Sequence, residues 1–217
     1  MKQNKTILVI APHADDEVLG CAGYLLHEIE QGARVHVLFA TIGGEDRRQD
    51  LDSRVAETNR VAAAMGYDYE VICYGKDARL DTVPSFDIIS AIDRTIAQLE
   101  PDEVFVNYPS SHQDHIKLFQ CAKAAMRLKE GYMPPLWALY EYPFITGTDK
   151  LDGGLMYVDI SDNIDRKVEL FGLYGSQVKQ APSPLNETGI RKLAAMRGLE
   201  CGCEYAERYY VQQIVKR

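Results

Sequence analysis

Four ionisable side chains stand directly after a short apolar run near the beginning of the sequence. The run covers residues 7–10, and the ionisable side chains are His13, Asp15, Asp16 and Glu17. Burying such groups at the end of a strand costs free energy unless a partner compensates them, and a divalent cation would do so. Histidine and carboxylate are usual zinc ligands, and a catalytic zinc keeps three protein ligands and one open position. We therefore expect a third ligand elsewhere in the chain.

A second polar motif supplies candidates for that third ligand. His112, Asp114 and His115 follow another apolar run, residues 103–108. One of the two histidines would complete the open arrangement, in which the metal lowers the pKa of its water toward about 7. A carboxylate that does not bind the metal can accept the proton of that water, and the other histidine, when protonated, can stabilise an oxyanion. Asp114 can orient a histidine ring. These groups together suit the hydrolysis of an amide or ester carbonyl.

Alternating strands and helices must bring the two motifs together. Short apolar runs predict strands at 6–12, 34–41, 70–74, 103–108 and 136–142, and helical spacing predicts helices at 18–31, 50–65, 87–99 and 115–128. This alternation indicates a parallel sheet with helices on both faces. Ligands bind such sheets beyond the carboxyl ends of the strands, where both motifs are predicted to lie.

The remainder of the sequence is less regular. We expect a strand at 156–160, helices at 164–174 and 187–197, and either a strand or a loop at 205–214. A length of 217 residues suits one α/β domain. The predicted fold is therefore a single domain over residues 1–217, a Rossmann-like three-layer sandwich with a mainly parallel sheet. A dinucleotide-binding dehydrogenase is disfavoured, because no G-x-G-x-x-G pattern follows the first strand.

Composition and charge exclude several classes of partner. The formal net charge of −8 favours neither nucleic acid nor an anionic membrane. No run approaches the ~18 apolar residues that span a bilayer, and the N-terminus leads into the first strand without a signal peptide. The five cysteines, Cys21, Cys73, Cys121, Cys201 and Cys203, are scattered, and the last two are too close for a C-x-x-C pair. We expect all five to be reduced, in a cytoplasmic protein.

Both motifs resemble those of a known family. Pro12-His13-Ala14-Asp15-Asp16-Glu17 and His112-Gln113-Asp114-His115 are similar to the His-Pro-Asp-Asp-Glu run and the later His-x-Asp-His of the PIG-L/LmbE-like zinc-dependent N-acetylglucosaminyl deacetylases. Arg54-Val55-Ala56-Glu57 resembles the family's Arg-x-x-Glu helix. Ser176-Gln177 and Tyr205-Ala206-Glu207 look like later family features.

The resemblance implies a reaction and a role for each matching residue. The reaction is removal of the N-acetyl group from a GlcNAc-containing sugar or conjugate, with Zn²⁺ as cofactor and a small molecule as binding partner. The implied roles are zinc ligation by His13, Asp16 and His115, general base catalysis by Asp15, oxyanion stabilisation or general acid catalysis by His112 with Asp114 in support, and sugar binding by Arg54 and Asp81. Homo-oligomer formation is left open.

Simpler interpretations stand beside these. The acids could only favour a helix N-terminus, and the two histidines could be surface residues. Arg54 and Glu57 could form an ordinary helix ion pair, and Asp81 could be a turn residue. At the level of function, an amidase that cleaves a larger acyl group by the same steps remains open, as does a non-catalytic module that binds a sugar or a nucleotide.

Overall fold

A seven-stranded sheet organises the chain. The computed structural model describes residues 4–43, 51–128, 131–143 and 153–216. The strands are β1 (Thr6–Ala11), β2 (Arg34–Ile42), β3 (Asp68–Tyr74), β4 (Glu103–Asn107), β5 (Leu136–Tyr140), β6 (Gly154–Asp159) and β7 (Ala206–Ile214). The helices are α1 (Asp16–Glu30), α2 (Leu51–Met65), α3 (Ser85–Leu99), α4 (Gln113–Ala125), α5 (Ile164–Gly172) and α6 (Glu187–Cys201), with a short 3₁₀ turn at Leu80–Thr82.

The strand order is β3-β2-β1-β4-β5-β7-β6. The first five strands pair in parallel, and β7 pairs antiparallel with both β5 and β6. The predicted α/β fold with a mainly parallel sheet is confirmed. Residues 205–214, for which strand and loop were both open, contain a strand that inserts between β5 and β6.

Alternate residues of the central strands face opposite sides of the sheet, and both sides are covered. Ile7 and Val9 of β1 pack into a core shared with α1, α2, α5 and α6. Leu8 and Ile10 pack into a second core with α3 and α4. Burial on both faces is the reason that these strands read as continuous apolar runs rather than as alternating ones. The three-layer arrangement is therefore also as predicted.

Element boundaries differ from the predictions mainly at helix ends. Helix α4 begins at Gln113 rather than 115, because the Asp114 backbone N–H donates to His112 Nδ1 at 3.2 Å and caps the helix there. Helix α6 continues past 197 to Cys201. Asp50, the predicted first residue of the second helix, lies outside the described residues. Within the described ranges, no helix combines the length and the apolar character that crossing a bilayer requires.

Candidate metal centre and cleft

The two polar motifs meet at the point where the strand order reverses. Strands β1 and β4 are neighbours at the centre of the sheet, and the chain leaves their carboxyl ends toward opposite sides. His13, Asp15 and Asp16 follow β1, while His112, Asp114 and His115 follow β4. This is the general ligand-binding position of open α/β sheets.

Three of these residues form a buried group of donor atoms, which we call the metal cluster: His13, Asp16 and His115. One donor atom from each lies within 4.8 Å of the other two. His13 Nδ1 is 3.4 Å from Asp16 Oδ2, and His115 Nε2 is 3.5 Å from the same oxygen. Asp16 and His115 are each 1% exposed. The predicted ligand set is therefore brought together by the fold.

Hydrogen bonding shows that the metal cluster suits a cation. His13 Nε2 lies 2.8 Å from Asp114 Oδ2, so this nitrogen donates and the Nδ1 lone pair faces Asp16. A lone pair and a carboxylate oxygen repel each other unless a positive charge lies between them. Burial alone would lower the pKa of His13, but hydrogen bonds to Asp114 and Asp16 outweigh it and raise that pKa to about 10. In the absence of a metal, a proton takes this place.

His115 meets the second requirement of a metal ligand, which is to be neutral. Burial, together with the nearby His13 charge, lowers the pKa of His115 to about 4 despite the opposing charge of Asp16. Its Nδ1 is buried without a hydrogen-bond partner in the described part of the chain. Two neutral-imidazole donors and one carboxylate fit a divalent metal such as zinc.

Asp114 supports a different histidine from the one expected. Its carboxylate contacts His13 and also accepts the backbone N–H groups of Ala78 at 2.7 Å and Leu80 at 3.0 Å. It reaches His112 only through its own backbone N–H, which donates to Nδ1. The expected support of His112 by this carboxylate is thus replaced by orientation of His13, the usual arrangement behind a metal-binding histidine. A second group of potential ligands, His13, Asp77, His112 and Asp114, is less suited, because Asp114 is already engaged.

His112 is held as a neutral hydrogen-bond donor. Because its Nδ1 accepts the Asp114 N–H, the proton of the neutral ring lies on Nε2. Burial and the positive charge of His13 lower the pKa of His112. The ring therefore differs from the protonated form considered from the sequence, although Nε2 can still donate to an oxygen in the cleft.

Asp15 occupies a strained position beside the metal cluster. Its φ of 139° lies where a residue with a side chain is rarely found, and the residue is 6% exposed. Burial and the charge of Asp16 raise the pKa of Asp15 well above its ordinary value, although Arg54 and His13 oppose this. A buried carboxylate with a raised pKa is the environment that favours a general base.

Glu17, the third acid of the first motif, fixes that strained turn. Its Oε2 accepts the Asp15 N–H at 3.0 Å, and its Oε1 accepts the hydroxyl groups of Tyr67 at 2.9 Å and Tyr174 at 2.7 Å. The side chain is fully buried. The sequence indicated only a spare carboxylate here, since the two tyrosines lie 50 and 157 residues away.

Arg54 reaches the same turn from helix α2. Its Nη2 donates to the carbonyl of Ala14, and its Nη1 donates to Glu57 at 2.9 Å and to Ser176 Oγ at 3.1 Å. The ion pair with Glu57 therefore exists, but it is buried rather than solvated, with side chains 5% and 7% exposed. Arg54 also lines the cleft.

Asp81 does not join the site, and Asp77 takes the place expected for it. Asp81 lies exposed on the 3₁₀ turn. The backbone before it is pinned by the Asp77 N–H, which donates to Gly43 O at 3.1 Å, and by the two N–H groups that bind Asp114. This places Asp77 Oδ1 3.5 Å from His13 Nε2, in the cleft.

A cleft of about 220 Å³ opens over these residues. Its walls are formed by His13, Asp15, Asp16, Arg54, Asp77, His112, His115, Tyr142, Gln177, Lys179 and Leu185. The Tyr142 ring stands edge-on to His115, with 4.7 Å between ring centroids. Asp77, Tyr142 and Lys179 were not among the site residues predicted from the sequence. Two of them carried a positional signal, because Asp77 follows the predicted strand 70–74 and Tyr142 ends the predicted strand 136–142, at the edge of the sheet where ligands bind.

Comparison with known proteins gives a family and several structural relatives. Residues 8–126 match the PIG-L family, described as GlcNAc-PI de-N-acetylase. The 1D-myo-inositol 2-acetamido-2-deoxy-alpha-D-glucopyranoside deacetylase of Mycobacterium sp. (strain JLS) is 22% identical, over 82% of this chain and 75% of that protein.

Two solved structures share the fold over nearly the whole chain. The N,N'-diacetylchitobiose deacetylase of Pyrococcus horikoshii is 23% identical with a TM-score of 0.78, covering 97% of this chain and 85% of the other. GalB, the 4-carboxy-2-hydroxymuconate hydratase of Pseudomonas putida KT2440, is 19% identical with a TM-score of 0.74, covering 98% and 99%. At these identities the likeness concerns the fold alone, and the hydratase demonstrates that the fold carries more than one chemistry.

Proposed function

The chain belongs to the PIG-L family, and we propose that it is a zinc-dependent hydrolase that removes the N-acetyl group from a GlcNAc-containing sugar or conjugate. One observation carries the proposal. The metal cluster of His13, Asp16 and His115 and the buried carboxylate of Asp15 open onto the same cleft. A hydrolase that attacks an amide needs such a ligand set and a base within reach of one bound molecule.

The proposed reaction consumes one water and yields acetate and a free amine. A bound divalent cation would supply Lewis-acid chemistry to the amide carbonyl and to the attacking water. Asp15 accepts a proton from that water as the oxygen attacks the carbonyl carbon, and later delivers it to the nitrogen as the C–N bond breaks. His112 Nε2–H donates to the carbonyl oxygen as negative charge develops there.

The remaining residues of the site hold this arrangement in place. Asp114 fixes the His13 ring so that its Nδ1 faces the carboxylate of Asp16 within the metal cluster. Arg54 holds the Ala14 carbonyl, between His13 and Asp15, and lines the cleft, where we propose that it contacts the sugar. For a second contact to sugar hydroxyl groups, Asp77 is a better candidate than Asp81, because Asp77 lines the cleft and Asp81 is exposed.

We extend the proposal to the organisation and setting of the protein. Residues 1–217 are proposed to act as one domain, since the described elements pack on the two faces of one sheet. A cytoplasmic location is supported by the five cysteines, all of which are free thiols. The proposed partner is a small molecule, because polar side chains converge on a concave cleft of about 220 Å³, which leaves room only for a compact group such as one sugar.

The first experiment is acetate release from a panel of GlcNAc compounds, measured before and after zinc is stripped and restored. Restored release on any member supports the proposal. Release of a larger acyl group, with no acetate from any N-acetyl compound, would replace it by the amidase. If the protein binds zinc and sugar but turns over no compound, the result would favour the non-catalytic binding module.

The matched variant for this experiment is Asp15→Ala. We expect zinc content and folding to be retained while turnover falls by about 10²- to 10⁴-fold, the usual contribution of a general base. Zinc content, the circular dichroism spectrum and acetate release are measured on the same preparation. A variant that keeps wild-type turnover would exclude Asp15 as the base.

A further inference from the structure

Two free thiols lie side by side at the end of helix α6, on the surface and outside the cleft. Cys201 is the last residue of the helix, and Cys203 follows after a single glycine. Their Sγ atoms are 3.6 Å apart. Cys201 is exposed and Cys203 is half-buried, so a small reagent in solution can reach the pair.

The backbone holds the two thiols together. Gly202 has a φ of 88°, a left-handed conformation that costs glycine little and ends the helix. The N–H groups of Gly202 and Cys203 both donate to the Gly198 carbonyl, at 2.7 and 3.1 Å. A Cβ on Gly198 would lie 2.6 Å from the Cys203 carbonyl oxygen, so a glycine is needed there for the turn to fold back.

The thiols make weak hydrogen bonds, to each other, to backbone carbonyl groups and, for Cys203, to the Asp159 side chain, which a rotation of the cysteine side chains can break. Cys201 Sγ donates to Arg197 O at 3.4 Å, and Cys203 Sγ donates to Tyr205 O at 3.3 Å. A disulfide requires the sulfurs to approach to about 2.05 Å, a closure of roughly 1.5 Å from the present separation. Rotation about the two Cα–Cβ bonds contributes to this closure, and the turn at Gly202, beyond the last residue of the helix, can supply the remainder.

We propose that Cys201 and Cys203 form a reversible dithiol site that low-molecular-weight disulfides oxidise to an intramolecular disulfide. The Cys201 thiolate attacks one sulfur of the disulfide RSSR, which forms a mixed disulfide and expels one thiolate. The Cys203 thiolate then attacks the Cys201 sulfur, forms the Cys201–Cys203 bond and expels the second. The two cysteine protons pass to the leaving thiolates, so the products are one protein disulfide and two RSH.

The order of attack follows from the surroundings of the two sulfurs. Cys201 is the exposed thiol and meets the reagent first. Burial, the neighbouring Cys201 thiol and the charge of Asp159 raise the pKa of Cys203 to about 11. At neutral pH, Cys203 therefore has a small thiolate fraction and reacts slowly with a reagent from solution. Close to a mixed disulfide, the proximity of Cys203 compensates for this low thiolate fraction.

The test exposes the reduced, folded protein to oxidised glutathione, quenches it with N-ethylmaleimide in denaturant and analyses tryptic peptides by mass spectrometry. Both cysteines fall in one peptide, residues 198–208, because trypsin cleaves after Arg197 and Arg208. We expect this peptide to lose two hydrogen atoms and to carry no label, and an excess of reduced glutathione to return both thiols. The peptides of buried Cys21 and Cys121 should remain fully labelled.

Single variants separate a dithiol site from two independent thiols. Cys203→Ser should stop at a glutathione adduct on Cys201. Cys201→Ser should react about tenfold more slowly, because the remaining Cys203 thiol is half-buried and burial raises its pKa, which lowers the fraction of the reactive thiolate. A wild-type peptide that stays doubly labelled, or that stops at the glutathione adduct as Cys203→Ser does, would overturn the proposal.

Discussion

Two buried groups of charged residues in this protein are built in opposite ways. In the metal cluster, His13 Nδ1 and His115 Nε2 both face a single carboxylate oxygen of Asp16, at 3.4 and 3.5 Å. In the second group, around Glu207, each carboxylate oxygen already has two donors. Oε1 accepts from Gly23 N at 2.8 Å and Lys167 Nζ at 2.6 Å, and Oε2 accepts from Tyr24 N at 2.9 Å and the Tyr209 hydroxyl at 2.7 Å.

This difference distinguishes a group of residues that can bind a metal ion from a group that only stabilises the fold. Glu207 and Lys167 neutralise each other, and Lys167 also donates to Leu19 O at 2.8 Å, so nothing further is needed from outside the protein. In the metal cluster, the Asp16 oxygen accepts one hydrogen bond, from the His13 backbone N–H at 3.1 Å. The two ring nitrogens that face the same oxygen are compensated when a proton or a metal ion lies between them. Burial of charged groups therefore does not by itself indicate a binding site. Buried ring nitrogens that face a carboxylate oxygen, as in the metal cluster, do indicate one.

The largest expected effect is a loss of stability when the Glu207 group is altered, without a loss of metal binding. Replacing Glu207 by Gln leaves Lys167 as a buried charge without its partner, which destabilises proteins by about 3–5 kcal/mol. The free energy of unfolding from urea titration should fall by that amount, while the folded variant keeps its zinc content and its turnover per molecule. Unchanged stability together with lost zinc would contradict the distinction.

Glu200→Gln is the matched control for that variant. Glu200 is likewise an ion-paired glutamate, with Arg197 at 2.6 Å and Arg208 at 3.3 Å, but its side chain is 31% exposed. Exposed pairs contribute about 0.2–1 kcal/mol. The control should therefore lose much less stability than Glu207→Gln, and an equal loss in both would show that burial of the pair is not the cause.

The next effect should appear in metal affinity rather than in stability. Asp114→Asn weakens the hydrogen bond that orients His13, and loss of such support lowers metal affinity about 10- to 100-fold. Competition with a chelator measures this affinity. Asp81→Asn, an exposed acid on the neighbouring 3₁₀ turn, is the matched control and should bind zinc as the wild type does. Equal zinc affinities in the two variants would show that Asp114 does not support metal binding.

The sequence predicted the fold as far as local patterns determine it. Runs buried on both faces identified β1, β2 and β4, and their alternation with helices indicated the parallel sheet and the edge where ligands bind. The insertion of β7 between β5 and β6 could not be predicted. It depends on pairing between Leu136–Tyr140 and a segment about 70 residues later, and local propensity carries no information on such pairing.

The same limit applies to the site. Spacing and residue type identified the two motifs, and the family resemblance selected His13, Asp16 and His115 within them, which the fold brings together. The partner of Asp114 was missed, because hydrogen bonds from Ala78 and Leu80, on a distant loop, turn its carboxylate toward His13. Short motifs thus specify which groups are present, while loops from other strands decide which groups touch.

The smallest effect concerns the buried pair of Arg54 and Glu57, of which Arg54 lines the cleft and Glu57, like Glu207, already has its hydrogen-bond donors within the protein. Burial opposes ionisation of Glu57, but hydrogen bonds from Ser176 and the Arg54 ion pair outweigh it and lower its pKa below the ordinary 4.5. Glu57→Gln should therefore lose about 1.5 kcal/mol at neutral pH, the low end for hydrogen bonds to a charged group. Because the folded pKa is lowered, this contribution is present above pH 4.5 and disappears as the pH falls through the folded pKa. Urea titrations at several pH values measure this contribution.

Glu169→Gln is the matched control, because Arg166 and Glu169 form an exposed pair of the same spacing. This variant should change stability little at any pH. A Glu57→Gln deficit that stays constant down to strongly acidic pH would show that Glu57 stabilises the protein by hydrogen bonds that do not depend on its charge.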